Sequence, residues 1–283
     1  MSLLAVVPAR LGATRLPRKP LRLLGGVPLV VRVWERVQAI GVADHCVVAT
    51  DSDEIADVLR AAGADVALTS PDHPSGTDRT AEVAALPRFR AFDAVLNVQG
   101  DEPFVTEAVL RGAAEVVTAG RFALGTAACP GNAAALASPD VVKVVASDDG
   151  RALYFSRAPI PWLRELGDAG DGAAREALVR RHVGVYAYTR DALARWVALP
   201  VHPLERVERL EQLRPLAHGL PMGVAYVDEP PAPGVDTPAD LEAAERAWPA
   251  WERAQRGAQD VVAAGSRARP PYAVPATLRR PDA

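Results

Sequence analysis

Apolar and polar residues along this chain fall into blocks whose period changes repeatedly. Leu3 to Val7 is a short apolar run that stops at a polar, turn-rich stretch from Pro8 to Pro20. Val30, Val33, Trp34, Val37 and Ile40 then recur at helical spacing, and Gly41 follows as a stop signal. His45 to Thr50 is a second apolar run, Glu54 to Ala62 has helical spacing with Gly63 just beyond it, and Asp65 to Thr69 is a third strand candidate. Further strands are predicted at Ala94 to Val98, Leu124 to Cys129, Val141 to Ala146, Ala152 to Phe155, His182 to Tyr188 and Val224 to Val227. Helices are predicted from about Val105 to Ala119, from Val207 to Ala217, and from Pro238 to Trp251, the last opened by a capping Thr237 with proline at the first helical position. Strands alternating with helices predict an α/β fold built on a mostly parallel sheet. Gly167 to Gly172 is polar and glycine-rich and is expected to be a surface loop. Beyond Arg253, Arg, Pro, Ala and Gly dominate and periodicity fades, so one domain is expected over 1–253 and a disordered tail over 254–283.

Composition narrows the function. At 283 residues with 49% hydrophobic and 24% charged residues, the chain can bury one large core. A net charge of -3 gives no global field toward nucleic acid or an anionic membrane, so a polyanion site must be local. No apolar run approaches the length of a membrane span, and the first ten residues lack a signal-peptide pattern. The two cysteines, Cys46 and Cys129, are far apart and suit a reduced cytoplasm rather than a disulfide or zinc framework. Of 32 basic residues only Lys19 and Lys143 are lysine. In a chain that otherwise writes arginine, Lys19 points to a position that wants an ammonium.

Ligands in open parallel sheets bind beyond the carboxyl ends of the strands, and the polar clusters sit there. The Pro8–Pro20 loop carries Arg10, Arg15, Arg18 and Lys19 with a flexible Gly12, which suits a di- or triphosphate. It matches neither GxGxxG nor a Walker A loop, which disfavours a dinucleotide dehydrogenase or a P-loop enzyme. Asp101, in Asn97–Pro103, ends a strand beside that loop and suits magnesium, which takes few protein carboxylates plus phosphate oxygens. Asp236 precedes a helix that Thr237 caps, which leaves its carboxylate available; a structural role at the helix start is the competing reading. Ser75, Thr77 and Asp78 are equally at home as a loop and a helix cap, His182 as a satisfied strand histidine, and Glu211 with Gln212 as a solvated helix face.

Eight stretches occur in order: PARLGATRLPRKPL (8–21), ATD (49–51), SGTDR (75–79), NVQGDEP (97–103), YFSRAPIP (154–161), HVGVYAY (182–188), Leu204–Glu205 with Glu208–Leu216, and GVDTPADLE (234–242). Together they resemble the 3-deoxy-manno-octulosonate (KDO) cytidylyltransferases over residues 1 to about 247, with NVQGDEP and YFSRAPIP the most specific. The resemblance implies a nucleotidyltransferase fold, α/β with a mixed, mostly parallel sheet and a small subregion for the sugar and for homodimer contact. It implies Mg²⁺ as cofactor, and CTP and a 3-deoxy-ulosonic acid as partners, with no nucleic acid and no membrane insertion. Arg10, Arg15 and Lys19 would hold the triphosphate, and Asp101 and Asp236 the metal; Lys19, Asp101, Asp236 and Arg10 are the catalytic set. Ala9, Ser75, Gly76, Thr77, Gln99 and Gly100 would surround cytidine. Arg157, His182, Tyr186, Glu211, Gln212 and a shared Gln99 would bind the sugar acid, Arg157 gripping its carboxylate in bidentate fashion. Ala13 replaces the serine usual in the family, removing one hydroxyl near the phosphates. An amino-KDO or another ulosonic acid as acceptor, and a non-catalytic nucleotide-binding protein, are the alternatives.

Overall fold

The computed structural model describes residues 1–162, 178–228 and 230–265. The first apolar run is strand β1 (Leu3–Ala9), buried at every position. Its loop closes in a single 3-10 turn at Lys19–Leu21, and a small hairpin follows, β2 (Leu23–Leu24) and β3 (Val27–Pro28). Helix α1 (Leu29–Ile40) buries Leu29, Val30, Val31, Val33 and Val37 and ends at Gly41 in the left-handed region. Then come β4 (His45–Thr50), α2 (Asp53–Ala61) capped by Ser52, β5 (Asp65–Leu68), and α3 (Gly76–Ala85) capped by Ser75. The middle of the chain supplies β6 (Ala94–Val98), α4 (Glu107–Thr118), β7 (Leu124–Pro130), α5 (Ala133–Ala137), β8 (Lys143–Ala146) and β9 (Ala152–Ser156). The last part supplies β10 (Arg180–Thr189), α6 (Arg190–Ala198), α7 (Pro203–Glu208), α8 (Leu213–Ala217), β11 (Met222–Tyr226) and α9 (Pro238–Gly265).

The main sheet runs in the order β11-β7-β10-β6-β1-β4-β5. Strands β6, β1, β4 and β5 are mutually parallel, and β11 is parallel to β7. Strand β10 runs antiparallel between β6 and β7, and β8 and β9 branch from it as an antiparallel ribbon. The sheet is therefore mixed and mostly parallel, as the sequence predicts, with helices over both faces. One core cluster joins α1, α2 and α4 to one face, and a second joins α3 and α6 to the other. A third cluster, Leu16, Leu24, Leu29, Phe104, Val235, Ala244 and Trp248, lies at the strand ends and positions the site.

Some expectations need correction. The Val207–Ala217 helix is two short helices broken at Arg209, whose φ of 54° is left-handed. Helix α9 runs through Gly265, so the boundary set at 253 falls inside an element; residues 266–283 and the loop expected at 167–172 lie outside the described residues.

Candidate active site

Strands β1, β4 and β6 run the same way, so their carboxyl ends share one edge. A cleft of about 350 Å³ opens there, lined by Pro8, Ala9, Arg10, Arg15 and Lys19 from the first loop, Ser75 and Gly76 from α3, Gln99, Gly100 and Asp101 from the end of β6, and Asp236. Gly100 is required by close approach: a Cβ there would lie 2.7 Å from the Pro8 carbonyl oxygen. Its absence lets the β6 turn settle on the end of β1.

The third apolar cluster explains how three distant residues meet. Leu16 is three residues before Lys19, Phe104 three after Asp101, and Val235 one before Asp236. Packing these side chains together, worth about 1.5–3 kcal/mol apiece, brings the polar neighbours to one point. The Val235 N–H also donates to the Asp101 carbonyl, 2.9 Å. A cap then frees the Asp236 side chain. Asp240 Oδ2 accepts from the backbone N–H groups of Asp236 and Thr237 and from the Thr237 hydroxyl, while Thr237 Oγ1 accepts from the Asp240 N–H. Thr237 is the cap, as its sequence predicts.

At the meeting point the Lys19 ammonium donates to Asp101 Oδ2 at 2.6 Å and to Asp236 Oδ1 at 2.9 Å. Arg15 donates to Asp236 Oδ2 at 3.0 Å. Burial alone would lower the Lys19 pKa, but the charges and hydrogen bonds of Asp101 and Asp236 outweigh it and leave it raised. Burial raises Asp236, and the hydrogen bond and charge of Lys19 reverse that, holding it below the ordinary carboxylate range. Glu102 is pushed up to about 8 by burial and by the adjacent Asp101 charge. Arg10 lines the cleft with no hydrogen-bond or ion-pair partner among the described residues. No group of three or more His, Cys, Asp or Glu side chains converges among those residues. The two aspartates do fit magnesium. They are hard oxygen donors facing a cleft lined by cations, and the ammonium between them marks a position built for positive charge.

Behind Gln99 lies a second polar set. The His182 Nε2 meets Thr126 Oγ1 at 2.9 Å, and the Thr126 hydroxyl spends its one proton on the Val185 carbonyl at 2.7 Å, so His182 Nε2–H is the donor. Burial lowers the His182 pKa to about 3, keeping the ring neutral. Its ring packs on Phe155 and on Tyr186, with centroids 5.0 and 5.5 Å away. Tyr186 stacks on Tyr188, and Gln212 is buried just before α8. Glu211 Oε1 accepts from Thr77 Oγ1 at 2.8 Å, while its Oε2 is buried with no hydrogen-bond partner among the described residues. Burial raises the Glu211 pKa. A buried carboxylate oxygen without a donor is costly and is the exception in native structures.

Two residues take other positions than the resemblance implies. Thr77 is 1% exposed and its hydroxyl turns to Glu211, so it does not line the nucleotide cleft. Arg157 has Nε on the Glu208 carbonyl and Nη1 on the Pro139 carbonyl, and no hydrogen bond joins it to His182, Tyr186 or Glu211. These bonds take up Nε and one Nη1 proton and leave the Nη2 protons to a ligand. Ser75 lines the cleft while capping α3 and donating to Asp78 Oδ2. The sequence reading assigned no role to Arg79. This side chain, 2% exposed, lines the cleft and is held by Asp51 at 2.9 Å and by the Thr69 hydroxyl. ATD, at the end of β4, and SGTDR, which opens α3, contain both members of that ion pair.

An α/β sheet whose strand-end cations face two remote aspartates is the layout of a nucleotidyl-transferring enzyme. A family model described as cytidylyltransferase matches residues 4–222. The chain is 62% identical over 248 residues to the 3-deoxy-manno-octulosonate cytidylyltransferase of Gemmatimonas aurantiaca, covering 88% of this chain and 95% of that one. It is 48% identical over 246 residues to the protein of the same name from Methylococcus capsulatus, covering 85% and 95%. The solved structure of a CMP:2-keto-3-deoxy-manno-octonic acid synthetase complexed with CTP superposes with a TM-score of 0.78 at 36% identity, over 87% of this chain and 98% of that one. The chain belongs to the 3-deoxy-manno-octulosonate cytidylyltransferase family and is a nucleotidyltransferase.

Proposed function

We propose that the protein couples CTP to 3-deoxy-manno-octulosonate in a Mg²⁺-dependent reaction, releasing pyrophosphate and forming the CMP-sugar. The observation that carries this reading is the convergence of Lys19, Asp101 and Asp236 within 3 Å contacts beside the cationic loop. The relatives' names and the CTP complex of the 36% identical structure support the substrates.

In this reading Arg10 and Arg15 neutralise the triphosphate, and Lys19 moves from the carboxylates to a phosphate oxygen. Asp101 and Asp236 would hold Mg²⁺, which when bound supplies charge neutralisation and a more acidic attacking hydroxyl. The anomeric hydroxyl of the sugar acid gives up its proton to water, its oxygen bonds to the α-phosphorus, the bond from that phosphorus to the bridging oxygen breaks, and pyrophosphate leaves with the electron pair. Positioning carries most of the rate in such transfers. Gly100 and Gln99 hold the base side of the cleft, and the free Oε2 of Glu211 accepts a sugar hydroxyl. His182, neutral at working pH, offers no charge to the acid. Homodimerisation is part of the proposal. An apolar groove lined by Leu153, Leu204, Leu213, Leu216 and Leu220 supports it, with Leu153 58% exposed.

Pyrophosphate release with Mg²⁺ and CTP, run with KDO beside an amino-KDO and a sialic acid, tests the reading. Release with KDO alone, and its loss in Asp101→Asn and Asp236→Asn while CTP binding is partly kept, is expected. Release only with a relative of KDO moves the acceptor; unchanged turnover in both variants refutes the metal assignment.

A further inference from the structure

A chain of buried hydrogen bonds runs from the nucleotide cleft to Glu211. Gln99 Nε2 donates to Asn97 Oδ1 at 3.4 Å, and Asn97 Nδ2 donates to the Tyr188 hydroxyl at 3.3 Å. Tyr188 and Thr77 hydroxyls are 3.5 Å apart, and Thr77 donates to Glu211 at 2.8 Å. Asn97, Tyr188 and Thr77 are all at most 1% exposed.

The direction of this chain is fixed by its chemistry. An amide nitrogen can only donate, so the Tyr188 oxygen accepts from Asn97 and its proton is left to give. Thr77 has one proton and gives it to Glu211, so Thr77 can only accept from Tyr188. Every donor points toward the carboxylate. The lengths grade the influence. The bond at Glu211 is short, whereas the two links nearest Gln99 and the link between hydroxyls are long. Control is therefore concentrated at the Glu211 end.

We infer that Thr77, backed by Tyr188, is a positioning residue for the acceptor site: it anchors Glu211 Oε1 so that Oε2 is presented to the sugar acid. This rests on the function proposed above, which makes Glu211 an acceptor contact. The resemblance placed Thr77 at the nucleotide; the geometry points to the other substrate.

The test is steady-state kinetics of Thr77→Val, Thr77→Ser and Tyr188→Phe, with thermal melting to confirm folding. Thr77→Val should raise the KM for the acid roughly tenfold, the scale of one lost buried hydrogen bond to a charged group. The KM for CTP should stay within about twofold, Thr77→Ser should restore the acid KM, and Tyr188→Phe should give a smaller rise of about two- to threefold. Equal rises in both KM values would return Thr77 to the nucleotide site and overturn the inference. So would a fall in kcat with neither KM moving, or failure of serine to rescue. A readout independent of turnover is infrared titration of the Glu211 carboxyl, with Glu211→Gln identifying its band. Removing the Thr77 donor should raise that carboxyl's pKa further, and no change overturns the inference even if KDO proves the wrong acceptor. Wild-type protein that binds CTP but turns over no acid defeats the proposed function alone.

Discussion

The two lysines of this chain occupy opposite kinds of site. Lys19 is 17% exposed and its ammonium is held by two carboxylates at the mouth of a cleft. Lys143 is fully buried, and its ammonium donates to three backbone carbonyls, of Ser138 at 2.8 Å, Val141 at 2.7 Å and Arg157. Three donors diverging from one atom match three carbonyls on separate turns, which a planar guanidinium does not. Carbonyls are fixed partners and no ligand removes them. Carboxylates are partners that a metal ion and a triphosphate can take over. The same group thus serves as a permanent clasp in one place and as an exchangeable counter-ion in the other. The clasp also holds the backbone of Arg157 where β8 begins and β9 ends.

The strongest way to break this contrast is Lys143→Met. Three part-buried carbonyls lose a charged donor and a fully buried stem is left to repack, so denaturant melting should show a loss of several kcal/mol or no soluble protein, at about 1–3 kcal/mol for each carbonyl that water does not reach. A melting curve like wild type would show that the clasp is not structural. Lys19→Met should do the reverse. The stability loss should be the smaller of the two, because the freed Asp101 and Asp236 carboxylates face a cleft open to water, while turnover falls about a hundredfold or more. A large stability loss with turnover retained would erase the distinction.

The smallest effect sharpens it most. Because there are two lysines, selective carbon-13 labelling at Cε gives a two-line spectrum that can be titrated. The Lys19 pKa lies above the ordinary 10.5, burial being outweighed by Asp101 and Asp236. The Lys143 pKa lies below it, through burial and then the neighbouring Arg157 charge. The linkage signs are therefore opposite. What Lys19 contributes to stability is fully present below pH 10.5 and is lost as pH rises through its folded pKa. The cost of charging Lys143 is constant at low pH and is relieved between its folded pKa and 10.5. Two resonances titrating together at 10.5 would contradict both assignments.

Legibility in the sequence followed the source of the signal. Strands β1, β4, β5 and β6 and helices α2 and α4 were readable because burial on one or both faces writes an apolar run or stripe. Helix α3 was not, because it buries Thr77, Arg79 and Thr80 along with Val83, so its inner face reads as polar. The hairpin of β2 and β3 is too short to show alternation, and the break at Arg209 depends on one left-handed residue inside a periodic stretch. Helix α9 outran its expected end because its alanine- and arginine-rich second half carries little apolar periodicity, and Pro249 sits inside it. For the site, charge after β1 and β6 and just before α9 pointed to the cations and both aspartates, which the structure brings together. Their common meeting point on Lys19 is set by the packing of Leu16, Phe104 and Val235, which no local pattern records. The bonds of Thr77 to Glu211 and of Arg157 to backbone carbonyls were not legible for a related reason: a residue type names a chemistry, and only the fold decides which neighbour uses it.

The strand order has a consequence for how the chain is made. Both neighbours of β7 in the sheet, β10 and β11, come after it in sequence, and the nearer begins at Arg180, about fifty residues beyond Pro130. At about 5–20 residues per second of synthesis, β7 leaves the ribosome several seconds before any partner strand exists. In the parallel half the longest such wait is shorter, that of β1 (ending at Ala9) for β4 (beginning at His45), about thirty-five residues. Of the strands in the main sheet β7 therefore waits longest for its first partner, and its unpaired N–H and C=O groups make it the segment most open to wrong pairing while the chain is being made.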